Sequence, residues 1–433
     1  MPERRVAVLD GARTPFCKAW TALAEVPVEE LGRLVVREAV DRAGLEPGSV
    51  DELILGTAAG PQESPSLARS VALLAGLPQA IPALTVNRGC ASGLEAIAQA
   101  AFRIAHGAAD LLVAAGAESM SRIPLLLSRQ VADVLVRDGR SRSARGRLAA
   151  LLRLRPSHLR PQPGPGMGLT DPACPAAMGQ TVELLAKEWG IGREEQDRFA
   201  LDSHLKTARA WSTGAMAEEI APVPVPPGFE RLVREDNGYR AGESLESLGS
   251  LESCHDGPFG TVTAGNSAQI ADGAAAVVLA SEQAVRSRGL RPLGWVRASA
   301  AAGCEPERSG LAAAHAIVKV LSAAGLGLGE VELFEINEAS AAQVVACLRA
   351  LDSGSFCRDR LGLPGRAGAV DTARVNVNGG AIAIGHPGGA SGVRLVLALL
   401  REMRRRDTGV GLAAMCAGDG QGMAAVFERN RVC

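Results

Sequence analysis

Apolar residues recur in two rhythms along the chain, and the rhythms alternate. Arg5–Leu9 (R-V-A-V-L) reads as a short buried strand, and Gly11–Pro15 as the turn after it. Leu31, Leu34, Val35 and Ala39 fall on one face of a helix predicted over Val28–Ala43, with Pro27 suited to start it. Glu52–Leu55 then reads as a strand, with a loop from Gly56. The same alternation gives a helix over Leu94–Ala105 and a strand over Leu111–Ala115. Near the end it gives a helix entered at Val393, carrying Val396, Leu397 and Leu400, and a strand over Val410–Ala414. Apolar strands alternating with amphipathic helices predict an α/β layered sheet.

The pattern is written twice. Ala43-Gly44-Leu45, Gly48 and Val50-Asp51 precede the strand Glu52–Leu55. Ala324-Gly325-Leu326, Gly329 and Val331-Glu332 repeat that spacing 281 positions on (324 − 43), before a strand Leu333–Ile336 and a loop at Asn337-Glu338. Ala91-Ser92-Gly93 matches Ala390-Ser391-Gly392 at an offset of 299 (390 − 91), which lays Leu111–Ala115 on Val410–Ala414. Two ordered matches predict an internally duplicated fold. Equivalent loops should then meet across a pseudo-twofold axis, outside the carboxyl ends of the strands where ligands bind in such sheets. Those loops carry Cys90, Asn337, His386 and Cys416.

Between Ser121 and about Asp256 the repeat is interrupted. Arg122–Arg160 holds ten arginines against Asp133 and Asp138, a local +8 in a chain of net charge −1. Leucines interleaved with arginines around Leu148–Leu154 predict a short basic amphipathic helix, Pro161–Gly168 a loop, and Met178–Lys187 and Arg193–Trp211 helices.

Composition narrows the function. The chain has 433 residues, 47% of them hydrophobic, enough for two or three cores. Near-zero net charge and 3% aromatic content argue against nucleic acid. Nine cysteines form no C-x-x-C pair and no regular spacing with histidine, so neither zinc nor a disulfide framework is expected. The first ten residues run straight into the predicted strand without a signal-peptide pattern, and no apolar run suffices to span a bilayer. A cytoplasmic protein with reduced thiols is expected.

The chemistry lies in the loops. Cys90 precedes a predicted helix, where the positive end of the dipole favours thiolate. His386 sits in V-N-V-N-G-G-A-I-A-I-G-H-P-G-G-A-S-G (Val375–Gly392), a glycine-dense junction that holds an imidazole rigidly as a general base. Cys416 lies in M-C-A-G-D-G-Q-G, a turn that exposes backbone N–H groups to an oxyanion, and Asn337 supplies an amide. A thiol nucleophile, an imidazole base, a second thiol and an amide describe acyl transfer through a thioester, with carbon-acid chemistry available.

Three motifs, N-R-G-C-A-S-G-L at Cys90, the His386 stretch and C-A-G-D-G-Q-G at Cys416, resemble the thiolase family from end to end of the chain. The resemblance implies a duplicated five-layer α-β-α-β-α fold. Its halves would be residues 1–121 with 257–285, and 286–433, around an inserted loop domain at 122–256. It implies CoA-dependent cleavage of 3-ketoacyl-CoA through a Cys90 thioester, reversible as a Claisen condensation, with coenzyme A as co-substrate and no permanently bound cofactor or metal. In those roles Cys90 is the nucleophile, His386 its base and Cys416 the acid/base at the α-carbon. Asn337 holds an oxyanion-hole water, and the backbone N–H groups of Cys90 and Gly418 form a second oxyanion hole. The T-A-G-N-S-A segment, with Ala264 and Ser267, would lie along CoA, and Met178-Gly179 beside the acyl group; the family's segment ends in the reverse order, A-S. Asp419, expected to raise the Cys416 thiol, Ser340, expected to open or wet the pocket wall, and Gly388 also depart from the family pattern.

The insertion is most similar to the thiolase subunit of fatty-acid β-oxidation complexes, although those usually carry histidine at the position of Asn337. That likeness implies a homo-oligomer, dimer or tetramer, and a partner subunit with hydratase and 3-hydroxyacyl-CoA dehydrogenase activity. The basic stretch Arg122–Arg160 is open to three roles: binding CoA phosphates, the anionic membrane surface or the partner. A biosynthetic acetoacetyl-CoA thiolase and a non-catalytic acyl-CoA-binding relative remain as alternatives. A ketoacyl synthase is disfavoured by Asn337 and Cys416. Cys254-His255, His204 and His315 are expected to be structural.

Overall fold

The computed structural model describes residues 4–60, 64–123, 125–126, 128–138, 144–159, 162–163, 170–171 and 174–429. The first half contains β1 (Val6–Arg13), α1 (Val28–Arg42), β2 (Glu52–Gly56), α2 (Leu67–Leu74), β3 (Ala83–Val86), α3 (Ser92–Ala105) and β4 (Leu111–Ser119). Two long helices of the insertion follow, α4 (Met178–Glu188) and α5 (Arg193–Ser212), and β5 (Ala271–Ser281) returns to the first sheet. The second half contains β6 (Gly294–Gly303), α6 (Ala312–Ala324), β7 (Leu333–Ile336), α7 (Ala341–Asp352), α8 (Gly388–Arg406), β8 (Val410–Ala417) and β9 (Gln421–Glu428).

The strands lie in the order β7-β8-β9-β6-β1-β5-β4-β2-β3, and β1 pairs with β6 antiparallel where the halves join. Outward from that seam each half repeats one scheme: two antiparallel pairings, then a parallel one. The parallel ladders give the duplication in register. Leu55 pairs with Ala115, and Ile336 with Ala414, so the partners differ by 281 (336 − 55) and 299 (414 − 115), the offsets read from the sequence. Gly44 and Gly325, both left-handed at φ +67° and +65°, end α1 and α6 in the equivalent way. Glycine takes that backbone without the Cβ penalty.

Every residue of β5 is buried, as expected of a strand covered on both faces. Its side chains alternate between two cores. Ala274, Ala276 and Val278 join Val35, Val36 and Val71 under α1 and α2, whereas Ala275, Val277 and Leu279 join Ile97, Val396 and Leu399. In the second half Leu412, Ala414 and Val426 face Ile317 and Val344, whereas Ala413, Met415 and Phe427 face the shared middle. Helices α3 and α8 thus lie between two sheets, with α1/α2 and α6/α7 outside: five layers.

The structure corrects several boundaries. Gly11–Arg13 is not a turn but the continuation of β1 through a bulge. Gly11 serves close approach: a Cβ there would lie 2.3 Å from the Ala276 carbonyl oxygen. Helix α8 begins at Gly388, five residues before the apolar rhythm, because its first turns pack through glycine. Gly389 and Gly392 lie against neighbouring backbone, where a Cβ would meet the Gly56 carbonyl oxygen at 2.7 Å and Leu94 N at 2.4 Å. Strand β8 runs on to Ala417, so Cys416 stands on a strand end and not in the turn after it. In the insertion, residues Ala144–Leu151 are helical, but Leu148, Leu151 and Leu152 are exposed and make no buried face. Gln162–Pro163 pairs with Leu125–Leu126; the rest of the expected loop, residues 161 and 164–168, lies outside the described residues.

Candidate active site

Cys90 is presented by a turn made rigid by its own polar groups. Gly89 is left-handed (φ +51°), and its N–H donates to Asn87 Oδ1 at 2.9 Å. Arg88 N–H donates to Ser92 Oγ at 2.9 Å, and that hydroxyl donates to the Gly89 carbonyl at 2.6 Å. Two other loops close on this turn. A Cβ on Gly89 would lie 3.5 Å from Gly418 N, and one on Gly388 would lie 3.9 Å from Cys90 Cα. The loops of Cys90, His386 and Gly418 therefore converge, as the duplication predicts.

The stretch 267–270 ties in the fourth loop. Ala268 N–H donates to the Ala339 carbonyl at 3.1 Å, and the Gln269 carbonyl accepts from His386 N–H at 2.9 Å. His386 Nδ1 lies 2.6 Å from Ser391 Oγ. His386 Nε2 is buried without a hydrogen-bond partner. Asn337, at the end of β7 and wholly buried, has neither amide atom bonded to protein. Buried polar atoms are normally paired, so orphaned imidazole and amide groups at converging loops mark where ligand or water atoms are held. Glu118 braces the floor: its carboxylate accepts from the N–H groups of Ala58 (2.8 Å), Ala59 (3.1 Å) and Gly389 (2.9 Å), and from the Thr57 hydroxyl (3.1 Å).

The family model described as "Thiolase, N-terminal domain" matches residues 6–283, and "Thiolase, C-terminal domain" matches residues 290–429. The chain belongs to the thiolase family. It is 38% identical over 425 residues to the 3-ketoacyl-CoA thiolase of Pectobacterium atrosepticum, covering 98% of this chain and 96% of that one. The enzyme of the same name from Salmonella typhimurium is also 38% identical, covering 98% and 97%. Among solved structures, human mitochondrial 3-ketoacyl-CoA thiolase superposes with a TM-score of 0.86 at 32% identity, over 99% of this chain and all of the other. Bacillus anthracis acetyl-CoA acetyltransferase gives 0.86 at 33%, over 99% of each. The human enzyme in complex with CoA gives 0.84 at 32%, over 99% and 98%.

The electrostatics of this thiolase differ from the sequence expectation. Burial pushes the Cys90 thiol up to about 11, and the Glu118 carboxylate adds to the rise; the residue's own backbone N–H opposes them only in part. The helix dipole does not produce a standing thiolate, because Cys90 precedes α3 by two residues in surroundings that disfavour charge. Burial, then the Arg394 cation, push His386 down to about 4. Cys416 is raised above the ordinary thiol range by burial, then by Cys347 and Cys90. Asp419 lines an outer groove with Cys304, His315 and Arg360. At neutral pH this thiolase holds two thiols and a neutral imidazole.

The remaining residues are placed as follows. Met178 opens α4 and is half-buried; a Cβ on neighbouring Gly179 would lie 2.1 Å from His255 Nε2, so His255 covers this pair. Ser267 is half-buried and Ala264 exposed, in a loop held by Thr263 N–H to Asn266 Oδ1 (2.8 Å) and Asn266 Nδ2 to Asp197 (3.0 Å). A Cβ on Gly418 would touch nothing within 4 Å, so that backbone is approachable. Ser340 does not wet a pocket wall: it is buried and caps α7, its Oγ accepting from Gln343 N–H at 3.1 Å. His204 is buried, its Nδ1 accepting from Arg240 N–H at 3.2 Å, and His315 is half-buried against Phe356. Ser391, Ser92, Glu118 and Arg394 were missed as site residues. For the two serines the signal was in view, since they are the polar members of the duplicated Ala-Ser-Gly.

Proposed function

We propose that this thiolase acts as a 3-ketoacyl-CoA thiolase, cleaving 3-ketoacyl-CoA with CoA to acetyl-CoA and a shortened acyl-CoA. The observation that carries the reading is the convergence of the Cys90, His386 and Gly418 loops beside the orphaned His386 Nε2 and Asn337 amide. Cys90 Sγ attacks the 3-keto carbon while its proton passes to His386 Nε2. The C2–C3 bond breaks, leaving an acyl thioester on Cys90 and an acetyl-CoA enolate that takes the Cys416 proton. CoA then attacks the thioester: its thiol proton passes to the Cys416 thiolate, the proton held on His386 returns to Cys90 as that sulfur leaves, and both thiols are restored. Asn337 with a held water, and His386, stabilise the thioester oxygen of the enolate. The N–H groups of Cys90 and Gly418 stabilise the tetrahedral oxygen. Each placed acid or base contributes roughly 10²–10⁴-fold in such steps.

In this reading CoA lies along Ala264 and Ser267, with Met178 beside the acyl group, and the loop domain spans 122–256 between the parts of the first half. The 38% identity to two enzymes named 3-ketoacyl-CoA thiolase supports the cleavage reaction. We extend the reading to a cytoplasmic role in fatty-acid β-oxidation, as a homo-oligomer served by a hydratase/3-hydroxyacyl-CoA dehydrogenase subunit. Among the described residues no helix is long and apolar enough to cross a membrane. Arg122–Arg160, with Leu148, Leu151 and Leu152 exposed, suits peripheral contact with anionic lipid.

Thiolytic kcat/KM over 3-ketoacyl-CoA substrates of increasing length tests the assignment. CoA-dependent cleavage beyond four carbons, lost in Cys90→Ala, supports it. Turnover confined to acetoacetyl-CoA supports the acetyl-CoA acetyltransferase reading that the Bacillus anthracis structure favours, and full activity in Cys90→Ala removes Cys90 from its role.

A further inference from the structure

The duplicated tripeptides Ala91-Ser92-Gly93 and Ala390-Ser391-Gly392 open the two central helices, each just after a loop bearing a proposed catalytic side chain. Their glycines make the close contact between helices: a Cβ on Gly392 would lie 2.4 Å from Leu94 N, and one on Gly93 2.5 Å from the Gly389 carbonyl oxygen. That leaves one hydroxyl per tripeptide, buried and aimed back at the loop. Ser92 spends its hydroxyl on the turn before Cys90, accepting from Arg88 N–H and donating to the Gly89 carbonyl. Ser391 spends its hydroxyl on the imidazole itself, with Oγ 2.6 Å from His386 Nδ1 and 3.0 Å from the Pro387 carbonyl.

We propose that Ser391 is a positioning residue that fixes the tautomer of His386, leaving Nε2 as the ring nitrogen able to accept the Cys90 proton. A serine hydroxyl carries one proton. With that proton on the Pro387 carbonyl, the usual back-bond of a helical serine, Oγ can only accept from the ring. Nδ1 therefore bears hydrogen and Nε2 a lone pair. Nε2 is the nitrogen left buried and without a partner. Ser391 is itself 1% exposed, so water does not compete for the contact. The other nitrogen's hydrogen bond is what ordinarily decides which side of a histidine is basic.

The proposal rests on the reading of His386 as the base toward Cys90, and its test separates the two. Nitrogen-15 NMR of histidine-labelled full-length protein, with the His386 signal assigned by His386→Gln, reports the tautomer without turnover. Protonated Nδ1 and bare Nε2 at neutral pH are expected; the reverse tautomer in the wild type overturns the proposal, even if Ser391→Ala does not fold. In Ser391→Ala the tautomers should mix, and the rate of Cys90 acylation by acetyl-CoA should fall about 10- to 100-fold, within the range for a placed base. Ser391→Thr, which keeps the hydroxyl, should regain most of that loss. Wild-type acylation with an unchanged tautomer in Ser391→Ala also overturns it. Failure of the wild type to acylate Cys90 counts against the thiolase mechanism instead, and leaves the tautomer result standing by itself.

Discussion

The backbone of Gly116, in β4, meets the carbonyl of Gly389, in the first turn of α8, so closely that a Cβ on Gly116 would lie 2.0 Å from that oxygen. The first-half sheet thereby touches the helix that follows His386, with no side chain between them. Gly116→Ala forces backbone apart in a close-packed interior, which costs about 1–3 kcal/mol. Thiolysis is expected to fall at least tenfold, because the shift enters the His386 loop. Gly329→Ala, where an added Cβ meets nothing within 4 Å, should stay within about 0.5 kcal/mol of wild type. Urea unfolding midpoints of the pair, read beside activity, check both.

Arg13 is wholly buried, bonded to Glu219 at 2.8 Å and to Asp236 at 2.7 and 2.9 Å. It pins the insertion to β1. Arg13→Met strands two buried carboxylates and should destabilise the protein by about 3–5 kcal/mol, with Glu219→Gln and Asp236→Asn in the same chain recovering much of the loss. Chemical denaturation measures this; a loss under about 1 kcal/mol for Arg13→Met would show that the network is not needed.

The pH behaviour follows from the raised thiol and lowered imidazole. Cys90 titrates near 11, so its thiolate fraction still rises about tenfold per pH unit above neutrality. Alkylation of Cys90 by iodoacetamide, followed by mass spectrometry, should climb through pH 9 without a plateau. A plateau at pH 6–8 would reveal a standing thiolate–imidazolium pair. His386, protonating only near 4, stays neutral through the usual histidine range, so acylation by acetyl-CoA should not show an acid limb at pH 6.5.

Asn337 is buried with an amide that bonds to no protein atom, so its removal should cost catalysis and spare stability. Asn337→Ala is expected to lower thiolytic kcat about 10²–10³-fold, the usual loss for an oxyanion donor. Its unfolding midpoint should be unchanged or slightly raised, since no hydrogen bond within the protein is broken. Steady-state kinetics beside a thermal melt separate these effects; a destabilised variant with normal kcat would assign Asn337 to structure.

Much of this was legible in the chain because the fold is duplicated. Offsets of 281 and 299, carried by small residues, reappear as the strand registers Leu55–Ala115 and Ile336–Ala414. Apolar rhythm failed where backbone contacts replace side-chain contacts. It missed the first five residues of α8, since Gly388–Gly392 carries no large apolar side chain, and it read Gly11 as a turn where the residue serves close strand packing. Charge was the least legible feature. The Cys90 helix-start argument pointed towards thiolate, whereas burial and Glu118, brought close only by the fold, push the thiol the other way.

Intact-protein and peptide mass spectrometry after brief exposure to acetyl-CoA, without acceptor CoA, tests the covalent step itself. The thioester mechanism predicts one added acetyl group, mapped to the peptide containing Cys90, removed by free CoA and missing in Cys90→Ala. Acetyl-CoA bound without any adduct, or an adduct on another cysteine, would contradict it.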